Sequence, residues 1–224
     1  SNQNENRKYF HDEDSFDKKL YSVIIKANNM EAFESEYSFE LHENFTMDDM
    51  SVSPVNFALF ETLIRLKPYS NILEIGTFLG GTSLRFANIV GENGKVTTIE
   101  KFDEFAQIAK RNFRKNCQFD NIELIIGDAM KVLNGIDEKG KFDFVFIDGN
   151  KEHYYDYLIQ VDKMLIPGGM IIIDDIFFNG DSLNSKPKTE KGAGVKKVLE
   201  NLSEFVNYRI TTLPIGNGCL IMTH

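Results

Sequence analysis

The feature that most constrains this chain is an alternation of two apolar patterns. From residue 71 onward, short runs rich in apolar or β-branched residues take turns with stretches whose apolar residues recur every three or four positions. The runs cover 71–75, 95–99, 122–126, 143–147 and 170–173, each of strand length. The helical stretches are 82–89; Phe102, Phe105, Ala109 and Phe113; Tyr154, Tyr157, Leu158, Val161 and Leu165, stopping before Pro167-Gly168-Gly169; and Val195, Val198, Leu199, Leu202 and Phe205. Strands apolar on both faces are covered on both, which means a parallel sheet with helices on either side. Two last runs, 208–212 and 219–223, flank Pro214-Ile215-Gly216-Asn217-Gly218. That link is too tight for a crossover, so the pair is expected as a hairpin that puts one antiparallel strand into a seven-stranded, mostly parallel sheet.

Upstream, Ser53-Pro54 reads as an N-cap hydroxyl followed by proline at the first helical position, with Phe57, Phe60 and Ile64 on one face. Residues 1–50 are polar with scattered aromatics, and 20–25 and 30–39 read as helical pieces of a cap or dimer arm. The 224 residues then suit a single domain with its α/β core at 51–224. A net charge of −9 argues against a broad basic face for nucleic acid. No run is apolar enough to span a bilayer, and the N-terminal stretch is too polar for a secretory signal. Cys117 and Cys219 form no disulfide framework, so reduced thiols and a cytoplasmic location are expected.

In open sheets of this kind ligands bind beyond the carboxyl ends of the strands. Chemistry is therefore sought just after Ile75, Ile99, Ile126, Ile147 and Ile173. The first of these ends carries Glu74-Ile75-Gly76-Thr77-Phe78-Leu79-Gly80-Gly81-Thr82. Its glycines let a backbone approach a ligand, or merely punctuate a turn. Their Gly-x-x-x-Gly-Gly spacing departs from the dinucleotide fingerprint, which disfavours a pyrophosphate ligand and an NAD-type dehydrogenase. Glu100, at the second end, could accept both hydroxyls of a ribose or be an ordinary surface glutamate. Asp128, in Gly127-Asp128-Ala129, could accept an adenine amino group or cap a helix. Three such features at adjacent strand ends favour a nucleoside pocket over coincidence.

Asp148 ends the fourth strand, and Asp174 and Asp175 end the fifth. Three carboxylates so close repel unless a cation joins them, and a hard divalent ion (Mg²⁺, Mn²⁺ or Ca²⁺) is the natural one; the plain alternative is that Asp174 or Asp175 caps a loop. His153 has no partner at ligand spacing, and no Gly-x-Ser-x-Gly or Cys/His arrangement supports covalent catalysis.

From about Met50 to the C-terminus these residues resemble the cation-dependent O-methyltransferases that include the caffeoyl-CoA and catechol enzymes and bacterial relatives. The markers are Met50-x-Val52-Ser53-Pro54, Glu74-Ile75-Gly76, Gly127-Asp128-Ala129, Phe146-Ile147-Asp148-x-x-Lys151, Gly168-Gly169, and Asp174-Asp175 with Asn179-Gly180. The resemblance implies a Rossmann-like class I methyltransferase fold that uses S-adenosylmethionine and a divalent cation. Glu74, Gly76, Thr77 and Thr82, with Gly80 in the same turn and Val52 beside it, would hold the cofactor's amino-acid end. Glu100 would take the ribose, Asp128 and Ala129 the adenine. Asp148, Asp174 and Asp175 would be the metal ligands, and Asn179 would contact substrate.

Lys151 and Asp148 are then the catalytic candidates. Lys151 is expected to have a depressed pKa and to take the hydroxyl proton of a small, catechol-like acceptor. Tyr154, Tyr155, Phe177 and Phe178 would stack on a planar acceptor or fill the core. Three positions depart from the family pattern: Asp175 stands where asparagine is usual, Asn150 replaces an aspartate common in plant members, and Thr82 replaces serine. The first keeps a metal-independent methyltransferase open. A non-catalytic cofactor-binding protein is a separate alternative, against which Asp148, Lys151 and Asp174 speak. Lys186, Lys188, Lys191, Lys196 and Lys197 could meet phosphates, which keeps a hydroxyuridine of transfer RNA open as acceptor, or form a solvated loop. Similar proteins dimerise, and a homodimer is expected.

Overall fold

The computed structural model describes residues 16–28, 30, 36–46, 52–136 and 140–224. Met50 and residues 31–35 of the expected 30–39 helix lie outside them. The seven expected strands form one sheet: β1 (Asn71–Ile75), β2 (Lys95–Glu100), β3 (Ile122–Ile126), β4 (Phe142–Ile147), β5 (Leu165–Asp174), β6 (Arg209–Leu213) and β7 (Cys219–Thr223). Their order is β3-β2-β1-β4-β5-β7-β6. The pairs among β1 to β5 are parallel, and β7 runs antiparallel to both β5 and β6. The order reverses at β1: the chain steps outward from β1 through β2 to β3, then returns to place β4 on the other side of β1. That switch point opens a crevice at the carboxyl ends of the strands.

The helices are α1 (Phe16–Ala27), α2 (Pro54–Leu66), α3 (Gly81–Val90), α4 (Asp103–Asn116), α5 (Ala129–Gly135), α6 (Tyr154–Asp162) and α7 (Glu190–Glu200). Alternate residues of the central strands face opposite layers. Leu73, Ile75, Val145, Ile147, Ile171 and Ile173 pack with α5, α6 and α7, whereas Ile72, Phe144, Phe146, Met170 and Ile172 pack with α2 and α3. Ser53 caps α2 as expected, its hydroxyl accepting from Asn56 N. Among the described residues no helix is long and apolar enough to cross a membrane.

Three boundaries differ from the periodicity. Leu165, expected on a helix, belongs to β5: α6 ends at Asp162, and Leu165 pairs with Phe142 before a register shift. Pro167-Gly168-Gly169 is therefore an irregularity within the strand, held where Lys67 Nζ and Tyr69 Oη donate to Gly168 O at 2.7 and 3.1 Å. The 195–205 helix stops at Glu200, because the Asn201 side chain donates to Lys197 O at 2.6 Å and a 3₁₀ turn follows. Phe102 precedes α4 and is 57% exposed rather than buried. Residues 37–40 are not helical; their backbone is bonded instead by the Asn112 and Asn116 side chains of α4.

Candidate active site

A cavity of about 550 Å³ opens at the strand ends, a volume that suits a small-molecule or cofactor site. Its floor comes from Ile75 and Gly76 of the β1 turn, Ile99 and Glu100 of β2, Gly127 to Ala129 after β3, and Asp148 to Glu152 after β4. Phe78, Phe102, Phe105 and Tyr157 supply the apolar walls, and Asp175 and Lys191 lie at the far end.

The β1 turn is built by close approach. Gly76 and Thr77 both donate backbone N–H bonds to Ile99 O, and Asp148 N donates to Ile75 O. Gly76 has φ +103°, and a Cβ there would lie 2.3 Å from Asp148 O, so only glycine fits. Gly80 is demanded by a different neighbour, since its Cβ would meet the Phe113 ring at 2.4 Å. It does not line the cavity.

Glu74 also stays behind the cavity wall. It has no exposed surface, and its Oε1 accepts from Thr98 Oγ1 at 2.6 Å and from Ser83 Oγ. Burial pushes its pKa up to about 8, against the opposing effect of those two hydroxyls. Its Oε2 has no hydrogen-bond partner among the described residues. Thr77 joins the same network through the Thr98 hydroxyl, 2.6 Å away. Val52 N donates to Thr82 Oγ1 at 3.4 Å, and both residues are buried outside the cavity. Sequence reasoning missed Ser83 and Thr98; each sits on an ordinary helix or strand, and only their shared approach to Glu74 marks them.

Glu100 does reach the cavity, but its carboxylate is held from behind. Oε2 accepts from Phe78 N at 2.7 Å and Oε1 from Phe102 N at 2.9 Å. Burial raises its pKa, and the backbone donors oppose the rise. Asp128 combines both roles considered for it: it lines the cavity, and its Oδ1 caps α5 by accepting from Met130 N and Lys131 N. Ala129 lines the same end.

At the opposite end the three aspartates do converge, with oxygens of Asp148, Asp174 and Asp175 within 4.8 Å of one another. Lys151 enters the same cluster. Its Nζ lies 3.3 Å from Asp148 Oδ1 and 3.1 Å from Asp175 Oδ2. The turn that carries it is backed by α7, where Gly194 sits flush on the Lys151 and Glu152 backbone. Asp175 adopts φ +57°, an uncommon conformation for a side-chain-bearing residue, as the chain leaves β5.

Burial moves the charges here in a definite order. It pushes Asp148 up to about 6, with Lys151 opposing and Asp175 adding to the rise. It also raises Asp174 well above the carboxylate range, reinforced by Asp148 and Asp175. Burial by itself lowers Lys151, yet the attraction of Asp148 and Asp175 outweighs it, and the net shift is upward. That corrects the expected depression: in this arrangement Lys151 is an ammonium.

The two residues expected to meet substrate are placed elsewhere. Tyr154 has no exposed surface and donates to Asp148 Oδ1 at 3.5 Å, so it supports the cluster rather than a bound ring. Asn179 is exposed outside the cavity, with its N–H on Asn217 Oδ1 at 2.7 Å. The lysines of 186–197 do not act as one patch. Lys196 pairs with Glu200, Lys197 lies over the Tyr155 ring, and Lys191 alone of the five reaches the cavity. Sequence reasoning also missed Phe78, Phe102, Phe105 and Tyr157 as wall residues; they carry helix-core or turn signals, and their direction is tertiary.

The donor set fits the two groups that the strand-end pattern implies. The glycine cradle at Gly76 and the Glu100 and Asp128 carboxylates that line the cavity suit the polar groups of a nucleoside-bearing ligand. The all-oxygen cluster of Asp148, Asp174 and Asp175 suits a hard divalent cation.

A family model described as O-methyltransferase matches residues 26–224. "Probable caffeoyl-CoA O-methyltransferase 3" of Dictyostelium discoideum is 27% identical, the match covering 92% of this chain and 95% of that protein. The catechol O-methyltransferase of Niastella koreensis is 30% identical over 66% of this chain and 68% of its own length. Among solved structures, the O-methyltransferase TomG from Streptomyces achromogenes, involved in tomaymycin synthesis and determined in complex with SAM, superposes with a TM-score of 0.79. It is 25% identical over 90% of this chain and 94% of that chain.

Proposed function

The chain belongs to the O-methyltransferase family, and from that premise we propose that it transfers a methyl group from S-adenosylmethionine to a hydroxyl of a small, catechol-like acceptor. The observation that carries the reading is one continuous cavity with two chemically different ends. One end offers apolar rings with Glu100 and Asp128; the other offers Asp148, Lys151 and Asp175. The first suits an adenosine and the second an ionising hydroxyl.

In this reading Phe78, Phe102, Ile99 and Ala129 enclose the base, while Glu100 and Asp128 face the nucleoside's polar groups. The cofactor supplies a methyl carbon on a sulfonium, and transfer is an in-line displacement in which the C–O bond forms as the C–S bond breaks. The chain's part is to hold the acceptor oxygen in line and free it of its proton. Asp148, Asp174 and Asp175 would hold a divalent cation, which as a Lewis acid would lower the hydroxyl's pKa and engage the carboxylates that otherwise bind Lys151. With that attraction spent on the cation, Lys151 would release its own proton to solvent and, as a neutral amine, accept the hydroxyl proton, while Asp148, 3.3 Å away, orients the nitrogen. The separate engagements of Lys196 and Lys197 favour a small acceptor over an RNA face.

Calorimetric titration with S-adenosylhomocysteine, with and without Mn²⁺ and a simple catechol, tests this. Cofactor binding with metal-dependent catechol binding is expected. Absence of cofactor binding would refute the reading, and catechol binding indifferent to Mn²⁺ would remove its cation.

A further inference from the structure

Residues 36–46 form a strap laid along α4, and the way it is fastened suggests a purpose. Asn116 accepts from Ser38 N at 2.8 Å and donates to Ser38 O at 2.9 Å. One helical turn earlier, Asn112 accepts from Glu40 N at 2.7 Å and donates to Glu40 O at 3.1 Å. Two side-chain amides thus serve the strap as a neighbouring strand would, reading the N–H and C=O of alternate residues. Arg111 adds a two-pronged ion pair to Glu40, and His42 Nε2 meets Glu104 Oε1 at 2.8 Å.

This fastening delivers Phe45 to the outside of the cavity wall. Its ring is perpendicular to that of Phe78 at 4.8 Å between centroids and edge-on to Phe105 at 5.8 Å, while Phe78 and Phe105 are 5.0 Å apart. With Phe39, Leu79 and Ile108 these rings make a small apolar cluster separate from the two large ones. Phe78 and Phe105 also line the cavity at its Glu100 end. Phe78 has φ +52°, a conformation that a bulky side chain adopts only when its surroundings impose it. The strap presses from one side, and Glu100 accepts the Phe78 N–H from the other.

We infer that the 36–46 strap is a cofactor clasp, with Phe45 a positioning residue that sets the Phe78–Phe105 wall against the nucleoside. The inference rests on the cofactor reading above and adds a residue that touches neither the cavity nor the reacting atoms. Removing Phe45 leaves Phe78 free to relax from its imposed backbone conformation, so cofactor affinity falls while the acceptor end is untouched.

The test compares wild type with Phe45→Ala and Phe45→Leu by S-adenosylhomocysteine titration and by steady-state kinetics. Phe45→Ala is expected to weaken cofactor binding about tenfold, and Phe45→Leu to recover most of it. Acceptor KM, and kcat at saturating cofactor, stay within about twofold of wild type. Unchanged cofactor affinity in Phe45→Ala would overturn the inference. So would a parallel loss in all three quantities, the mark of general loosening. Failure of the wild type itself to bind would refute the cofactor reading and the clasp with it. Because the chain has no tryptophan, Phe45→Trp provides a second readout. Its emission should shift on cofactor binding, and an unresponsive emission in a variant that still binds would also overturn the clasp.

Discussion

The carbonyl oxygen of Asp148 occupies the space a side chain on Gly76 would need, 2.3 Å from where its Cβ would stand. The ends of β1 and β4 are brought together on that missing atom, and both contribute to the cavity floor. Gly76→Ala must therefore separate the two strand ends and adopt φ +103° with a side chain. The expected loss is roughly 2–5 kcal/mol from backbone strain and overpacking together. Thermal unfolding measures it, and any folded fraction should bind S-adenosylhomocysteine poorly.

Glu74 makes stability depend on pH in an unusual direction. Its carboxyl is pushed up from 4.5 to about 8 in the folded chain, so the native state holds a proton that the unfolded state releases. Its contribution is thus constant below about pH 4.5, becomes progressively destabilising as pH rises toward 8, and levels off above, at roughly 1.4 kcal/mol per unit between those limits. Glu74→Gln removes that slope. Urea unfolding at pH 5 and pH 8 should find the variant gaining on wild type at the higher pH; equal differences at both would show that Glu74 is not buried as a neutral acid.

Asp175 holds the Lys151 ammonium at 3.1 Å. Asp175→Asn removes one of the two attractions that raise the Lys151 pKa. A lysine acting as base works in its neutral form, so the rising limb of kcat/KM against pH should move to lower pH. Lys151→Met should lower kcat by about 10²–10⁴-fold, the usual span for a lost general base.

Glu100 holds the Phe78 and Phe102 amides while facing the cavity. Glu100→Ala releases both, and hydrogen bonds to a charged group contribute roughly 1.5–3 kcal/mol each. Cofactor affinity should fall by about 10–100-fold, within the range of one such bond. Titration of S-adenosylhomocysteine against the variant measures it; affinity equal to wild type would show that the amides hold their place without Glu100.

Much of the fold and part of the site were legible in the chain. Short apolar runs located the central strands β1, β4 and β5, because burial on both faces leaves that mark on nearly every residue, whereas the mostly exposed edge strand β6 was located by the tight link that joins it to β7. Boundaries were less legible: Leu165 satisfies helical spacing equally well, and only its pairing with Phe142 puts it in β5. Gly76, Glu100, Asp128, Ala129, Asp148, Lys151 and Asp175 were expected at one site and are together there, because the carboxyl ends of parallel strands share one edge. Tyr154 was read from its place near the site in the chain and Asn179 from the resemblance, and neither says in which direction a side chain points.

The sequence by itself determined which residues reach the strand ends, since strand length and turn position follow from local pattern and propensity. Only the tertiary structure decided what those residues do there. The Lys151 ammonium between Asp148 and Asp175, the hydroxyl network around Glu74, and the strap that sets Phe45 on Phe78 each join separate elements of the fold. The physical reason is that periodicity reports how much of a residue is buried, whereas hydrogen bonds and ion pairs depend on distances that exist only after distant segments have packed.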